Sequence, residues 1–188
     1  MSSKASLQRT GDSAFKRMDH VSSELFTLTY GSLVLQLIED FEDYAEVNNQ
    51  LERMGNNIGQ RLIEEFLAKS RVSKCGDFAE TCEVIALVGF RMFLGVTGTV
   101  SQSAKEPHVC HITLASNPLL DFVELPDEAK GVLQYSNILV GVLKGALEMV
   151  QMRVDVEVVH DPLVGDEATE LKLTLLEIIN DEPPPDDE

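Results

Sequence analysis

The chain of 188 residues contains no tryptophan, only three cysteines and few basic residues. Its 15 lysines and arginines are outnumbered by 32 aspartates and glutamates, which gives a formal net charge of -17. This shortage of positive charge argues against a nucleic-acid-binding protein, which needs a basic surface against phosphates. Three cysteines are an odd number and too few for a disulfide framework.

Long apolar runs are also missing. The most apolar run, residues 138–150, is interrupted by Lys144 and is too short to cross about 30 Å of hydrocarbon. Residues 1–20 carry basic side chains but no apolar segment of the kind that a secretory signal contains. We therefore expect a cytosolic protein whose contact with membranes depends on a lipid, a modification or a partner.

The two ends of the chain differ from its middle. Residues 1–20 are polar and show no hydrophobic period, which predicts a disordered N-terminal arm. Residues 181–188 are acidic, contain three consecutive prolines and predict a disordered tail. Residues 21–180 remain as one acidic domain, which is long enough to form a stable hydrophobic core without disulfides or metal ions.

Hydrophobic periodicity predicts an α+β two-layer fold. Apolar residues recur every three or four positions in four predicted helices, which cover residues 25–41, 47–67, 77–95 and 132–152. Four further segments read as strands: residues 109–114, 120–125, 153–159 and 169–179. Residues 96–107, rich in glycine, serine and threonine, predict a loop. Strands in adjacent pairs with short connections favour an antiparallel sheet with the helices on one side.

The chain offers little conventional active-site chemistry. His108, Cys110 and His111 resemble a metal-ligand cluster, but on a strand the first two share a face and His111 points away. Phosphate-binding and serine-hydrolase motifs are absent. Paired acids fall on polar helix faces, where solvation explains them better than acid–base catalysis. We therefore expect neither a metal site nor an enzyme.

Cys75 is the most informative reactive residue. It lies two residues before Asp77, which with Glu80 forms a capping-box-like signature at the start of the third helix. The open amides of a helix N-terminus favour a thiolate, and Arg71 and Lys74 add positive charge. A nucleophilic thiol is what acceptance of an acyl group from an activated ester requires.

An apolar stripe follows Cys75 along one side of the third helix. Its members are Phe78, Cys82, Ile85, Gly89 and Phe93. Gly89 removes bulk midway, so an acyl chain attached to Cys75 could lie along the stripe. The residues equally permit an ordinary core helix that follows an inert, partly exposed cysteine.

Several longer motifs carry a resemblance to a known family. They are the segments SSELFTLTYG (22–31), MGNNIG (54–59), RLIEEFLAKS (61–70), NPLLDFVELP (117–126), YSNIL (135–139) and GALEMVQM (145–152). In these motifs the chain resembles the small core subunits of the TRAPP (transport protein particle) tethering complex, and among them the acylated Bet-three-type members. The resemblance extends over about residues 22–180.

The resemblance implies a fold and a role. The family fold is a helical layer packed on a twisted four-stranded antiparallel sheet. Its members pair through helices into homodimers or heterodimers and join a larger particle. That particle tethers vesicles between endoplasmic reticulum and Golgi and acts as a nucleotide exchange factor for a Rab GTPase. The resemblance thus implies TRAPP subunits, a Rab GTPase and vesicle coats as partners, and a peripheral position at Golgi and endoplasmic reticulum membranes.

The resemblance also assigns residues. The family's acylated cysteine maps onto Cys75, and palmitate or a similar fatty acyl chain on it fills a channel in the hydrophobic core. Gly89 matches a small residue of the channel wall, and Lys74 matches a basic neighbour of the cysteine. No other cofactor is implied.

Glycines on the second and fourth predicted helices indicate close approach of another backbone. Gly55 and Gly59, with Leu51 and Ile58, form a candidate surface for pairing with another subunit. Packing within the chain explains these four residues equally well. Two other functions also remain open: a fatty-acyl carrier or sensor that uses Cys75 reversibly, and a thiol enzyme, for which no base is identifiable near Cys75 in the sequence.

Overall fold

The structure, a computed structural model, describes residues 3–72 and 74–179. Its helices are α1 (Lys4–Phe15), α2 (Ser23–Phe41), α3 (Tyr44–Ser70), α4 (Phe78–Val84), α5 (Phe90–Leu94) and α6 (Asn137–Glu148), and a single π-helical turn (Ile85–Gly89) joins α4 to α5. Its strands are β1 (Thr99–Ser101), β2 (Val109–Leu114), β3 (Met152–His160) and β4 (Thr169–Ile178). The strand order is β1-β2-β4-β3, and every neighbouring pair is antiparallel.

The predicted two-layer α+β architecture is confirmed. Alternate residues of the central strands, such as Cys110, Ile112, Leu171 and Leu173, are fully buried on one face of the sheet. They pack against Phe78 and other side chains of α4 and α6 in the main core. A second core lies between α2, α3 and the segment before α6. The helical layer therefore covers one face of the sheet and has an interior of its own.

The helix starts follow the sequence closely. The Ser22 hydroxyl caps α2 by accepting from the Leu25 amide at 3.3 Å. Asp77 caps α4 through its Oδ1, which accepts from the Glu80 amide at 2.8 Å. The Glu80 carboxylate reaches back to the Gly76 amide at 2.7 Å. The Ser22 and Asp77 oxygens each satisfy an amide that the first turn leaves open. Glu80 reaches back to the residue before the cap, whereas a standard capping box uses the amide of the cap residue itself.

The prediction of a disordered arm is wrong for most of residues 1–20. Residues 4–15 form α1, which starts at a Ser3 cap and buries Leu7, Gly11 and Ala14. Those residues pack with Val84 and other apolar side chains of the α4–α5 segment. A helix with so few apolar residues gains its stability from this tertiary contact, so its sequence looks like that of an unstructured segment. The predicted tail, residues 181–188, lies outside the described residues.

The predicted strand at residues 120–125 is also wrong. A short 3-10 turn (Pro118–Leu120) ends at the first residue of this segment and is held by the Asn117 side chain, which accepts from the Leu119 amide at 3.2 Å. Phe122 then takes a left-handed backbone conformation with φ of 63°, which an extended strand does not allow. The fourth strand is instead β1, inside the predicted loop, where Val100 pairs with Ile112.

The last predicted helix is shorter than expected. It begins at Asn137 rather than near residue 132, and the chain turns directly into β3 at Met152. Before Asn137, Ser136 is fully buried and its hydroxyl accepts from the Asn117 side chain at 3.0 Å. The apolar period continues through residues 132–136 because Leu133 and Tyr135 fill the second core, although their backbone is not helical.

Candidate functional site: a cysteine beside an apolar cavity

Cys75 lies in the short connection between α3 and α4. The first of these helices ends where Arg71 adopts a left-handed conformation with φ of 58°, and the second starts at the Asp77 cap. The cap pair of Asp77 and Glu80 holds the backbone immediately after the cysteine. The thiol is thus positioned by two helix ends, and its residue is only partly buried.

An apolar cavity of about 690 Å³ adjoins Cys75. This size is within the range of roughly 300–1,000 Å³ that pockets for small molecules have. Its walls come from α2, α3, the α4–α5 segment, α6 and the start of β3, and nearly all of them are aliphatic or aromatic. Lys74 and Thr81 are among the few polar residues in the lining. Such a cavity suits a hydrocarbon chain, because it offers apolar contact and almost no hydrogen bonds.

The predicted stripe divides between two environments. Ile85, Gly89 and Phe93 line the cavity. Phe78 and Cys82 do not; they are buried in the main core against the sheet. A regular α-helix would have placed all five on one channel wall. The π-helical turn adds a residue within this segment, which shifts the later side chains relative to the earlier ones.

Gly89 leaves open space in the cavity wall. A Cβ atom at this residue would have only the Val84 carbonyl oxygen nearby, at 4.0 Å. At most other helical glycines of the described chain, an added Cβ would clash with the backbone of a neighbouring helix. At Gly55, for example, it would be 2.1 Å from a backbone oxygen. The small size of Gly89 therefore serves the cavity rather than the packing of another backbone.

The electrostatic prediction for Cys75 is wrong in direction. Burial raises the pKa of the Cys75 thiol, and the negative charges of Glu80 and Asp77 raise it further. A hydrogen bond with the Thr81 hydroxyl opposes these effects but does not outweigh them. Arg71 and Lys74 flank the cysteine in sequence without reversing the shift. The thiol is therefore less easily ionised than a free cysteine, so the structure does not make it an intrinsically reactive nucleophile.

The other two cysteines serve the core. Cys82 and Cys110 are completely buried and pack together between α4 and β2 in the main core. The neighbouring Cys110 thiol and burial both raise the pKa of Cys82. The nearby His111 points to the other face of the sheet, where its Nδ1 lies 2.6 Å from a Glu170 carboxylate oxygen. Among the described residues, no cluster of histidine, cysteine or acidic side chains is arranged to hold a metal ion.

The predicted pairing surface is mostly internal. Leu51, Gly55 and Gly59 are buried, and both glycines lie directly against the backbone of α6. Gly141 of α6 makes the reciprocal approach to the Glu52 carbonyl oxygen. Packing within the chain is therefore the correct interpretation for these residues. Only Ile58 is exposed, at 42%, and it lines the cavity.

Several exposed apolar side chains are grouped on α2. Leu25 and Leu35 are each 64% exposed, and Leu28 is 58% exposed. Phe26 is 44% exposed and also lines the cavity. The sequence carried a signal for this surface, since α2 is apolar on more sides than one buried stripe requires. We call Leu25, Leu28 and Leu35, which lie on one side of the helix away from the cavity, the α2 face.

A family model described as "Transport protein particle (TRAPP) component" matches residues 26–174. The chain belongs to this family. It is 54% identical over 173 residues to trafficking protein particle complex subunit 3 of Dictyostelium discoideum, covering 92% of this chain and 93% of that protein. It is 49% identical over 183 residues to transport protein particle subunit bet3 of Schizosaccharomyces pombe, covering 97% of this chain and all of that protein.

A solved TRAPP structure shares the fold. It is a crystal structure of a trafficking protein particle complex subunit 3 from Naegleria fowleri, covalently bound to palmitic acid. The TM-score is 0.81 at 48% sequence identity, and the match covers 85% of this chain and 98% of that chain. Within residues 3–72 and 74–179, none of the helices has the length and apolar character needed to span a bilayer.

Proposed function

We propose that this TRAPP-family chain is a non-catalytic core subunit of a vesicle-tethering complex that acts between endoplasmic reticulum and Golgi. In this role it scaffolds the assembly of a Rab GTPase nucleotide exchange factor. A fatty acyl chain, palmitate or one of similar length, is attached to Cys75 as a thioester and lies in the apolar cavity. The observation that carries this proposal is the position of Cys75 beside that cavity: Cys75 is partly exposed, whereas Cys82 and Cys110 are buried.

The size of the hydrophobic effect supports an inward-facing chain. Burial gains about 0.8 kcal/mol per CH₂ group, so a sixteen-carbon chain gains on the order of 10 kcal/mol before opposing entropy is counted. A chain in this cavity is therefore part of the core. A single chain directed outward would bind a membrane only weakly and reversibly. Membrane contact then comes through the assembled complex, so the protein is peripheral at Golgi and endoplasmic reticulum membranes.

The lining of the cavity supports a non-catalytic role. No histidine is among the residues found around it, so the described part of the site offers Cys75 no imidazole base. The raised pKa of the Cys75 thiol also disfavours repeated nucleophilic attack. These features suit a cysteine that is acylated and then keeps its chain.

The α2 face supports assembly with other subunits. Its large exposed side chains, led by Leu25 and Leu35, exceed the scattered single apolar residues that an ordinary surface carries. Curated relatives of this chain are named as complex subunits. We therefore assign pairing with another TRAPP subunit to the α2 face. Contacts with a Rab GTPase and with vesicle coats would then belong to the assembled particle.

Intact-mass measurement and affinity purification test the proposal together. The chain is expressed in eukaryotic cells beside a Cys75→Ser variant. We expect a stoichiometric fatty-acyl adduct on the unaltered chain, its absence from the variant, and co-purification of TRAPP subunits identified by mass spectrometry. A chain that carries no adduct and recovers none of these subunits contradicts the proposal. Steady release of free fatty acid from an acyl thioester would instead favour a carrier or thiol enzyme.

A further inference from the structure

Cys75 borders a second, smaller space besides the apolar cavity. This crevice has a volume of about 90 Å³. Arg71 and Glu80 contribute to its lining, and so do Ser6, Leu7 and Thr10 of α1. The cysteine therefore has apolar space on one side and a polar crevice roofed by the N-terminal helix on the other.

The contact of α1 with the α4–α5 segment is close. Leu7 and Ala14 are buried against Val84 and its apolar neighbours, and Cys75 joins the edge of this cluster. Gly11 lies directly on the π-helical turn, where an added Cβ would be 2.4 Å from the Leu87 carbonyl oxygen. That oxygen belongs to the backbone, so no side-chain rotation could relieve the clash. The position of α1 thus depends on a glycine at residue 11.

Polar contacts hold both ends of α1. At its start, the Lys4 ammonium lies 2.7 Å from a Glu83 carboxylate oxygen. Near its end, Asp12 accepts from the Arg91 guanidinium at 2.8 Å. Arg91 also stacks over the Phe15 ring, 4.5 Å from its centre. Partly exposed ion pairs of this kind contribute little each, so they fix the helix in register but allow it to be displaced.

We propose that α1 is a cover over Cys75 that limits the access of reagents to its sulfur and, in the acylated protein, to the thioester. This inference rests on the proposed function, since it concerns the regulation of the same cysteine. When an acyl chain fills the cavity, the crevice remains as a route by which a nucleophile reaches the thioester carbonyl. The roof of that crevice is α1. Displacement of α1 therefore sets the rate at which the acyl group is gained or lost.

Thiol labelling of the unacylated full-length chain tests the cover without any lipid. A Gly11→Leu variant forces α1 away from the π-helical turn, and Gln8→Leu adds the same side chain at an exposed residue of α1. An Asp12→Lys variant repels Arg91, and Asp19→Lys makes the same charge change at an exposed residue beyond α1. Labelling by N-ethylmaleimide is followed separately for each cysteine by peptide mass spectrometry.

We expect Cys75 to react about tenfold faster or more in Gly11→Leu and Asp12→Lys than in their controls, because labelling follows the open fraction. Cys82 and Cys110 are fully buried and should stay protected in all four variants. Unchanged Cys75 labelling in both test variants overturns the proposal. Equal acceleration at all three cysteines also overturns it, because α1 would then be an integral part of the core.

Hydroxylamine treatment of the acylated chain provides the second measurement. The hydroxylamine nitrogen attacks the thioester carbonyl, a hydroxamate forms, and the Cys75 thiol is released. We expect faster release from Gly11→Leu than from Gln8→Leu, and equal rates would contradict a cover over the thioester. If no acyl group is ever found on Cys75, the proposed function fails. The labelling result then still decides whether α1 covers the cysteine.

Discussion

Gly55 of α3 lies directly against the backbone of Ile138, the second residue of α6. A Cβ at residue 55 would be 2.1 Å from the Ile138 carbonyl oxygen, far inside van der Waals contact. Gly59, Gly141 and Gly145 make equivalent approaches along the same pair of helices. The two helices therefore meet backbone to backbone, and their lateral position fixes one wall of the cavity through Ile58 and Val142.

Replacement of Gly55 by alanine should destabilise the protein. The added methyl group must push α3 and α6 apart, and overpacking of this kind typically costs about 1–3 kcal/mol. Because the clash is with backbone, we expect the upper part of that range, which exceeds the roughly 1 kcal/mol that alanine gains over glycine in a helix. Urea unfolding measures the difference. Gly89→Ala is the matched control, because a Cβ there meets open space. Equal stabilities of the two variants would contradict the close approach.

A larger side chain at residue 89 should exclude the acyl chain. Leucine at this position would project into the cavity, where Gly89 now leaves space. We expect Gly89→Leu to fold, since the side chain enters an existing void, but to show little or no acyl adduct by intact mass. Gly89→Ala should retain most of the adduct. Full acylation of Gly89→Leu would mean that the chain runs elsewhere.

Acylation should stabilise the fold. Burial of the acyl chain contributes roughly 10 kcal/mol before opposing entropy is counted, and we expect several kcal/mol of net stabilisation to remain. At about 2–4 °C per kcal/mol for a chain of this size, Tm should rise by about 10 °C. Differential scanning calorimetry compares the acylated chain with the same preparation after hydroxylamine treatment and with Cys75→Ser. Identical Tm values for all three would show that the hydrocarbon is not buried.

A charge on the α2 face should disrupt subunit pairing. Leu35 is 64% exposed in the described chain, so Leu35→Glu should leave Tm nearly unchanged. In a paired complex the same carboxylate would be buried without a partner, which costs several kcal/mol. We expect about a hundredfold weaker recovery of partner subunits, measured by affinity purification. The control is Ala104→Glu, the same charge change at an exposed residue of another segment. Equal recovery from both variants would exclude the α2 face.

The sequence predicted those elements whose signals are local. The hydrophobic period located α2 and α3, and the cap at Asp77 located the start of α4, because side-chain hydrogen bonds at helix starts involve only neighbouring residues. It failed for α1 and β1. A sparse helix and a three-residue strand are stable only through contacts with distant residues, which leave little trace in their own composition.

For the candidate site too, the sequence predicted part of the arrangement and the structure was needed for the rest. Cys75, Lys74 and Gly89 were singled out from their positions in the sequence, the resemblance then assigned them roles, and the structure places all three around one cavity. The resemblance could not show that Phe78 and Cys82 face the sheet, because the π-helical turn that separates them from Gly89 has no sequence signature. Nor could the sequence show that burial raises the Cys75 pKa, since burial depends on the surrounding chain.

The sequence by itself determined the family, the order of the main helices and strands, and the one cysteine placed at a helix start. Tertiary structure alone decided that Gly55 joins two helices of the same chain, that the α2 face is left exposed, and that α1 roofs Cys75. The physical reason is the sequence separation over which each interaction acts. Caps and periodicity act over a few residues, whereas a cavity, an exposed face and a cover are properties of surfaces that distant segments form together.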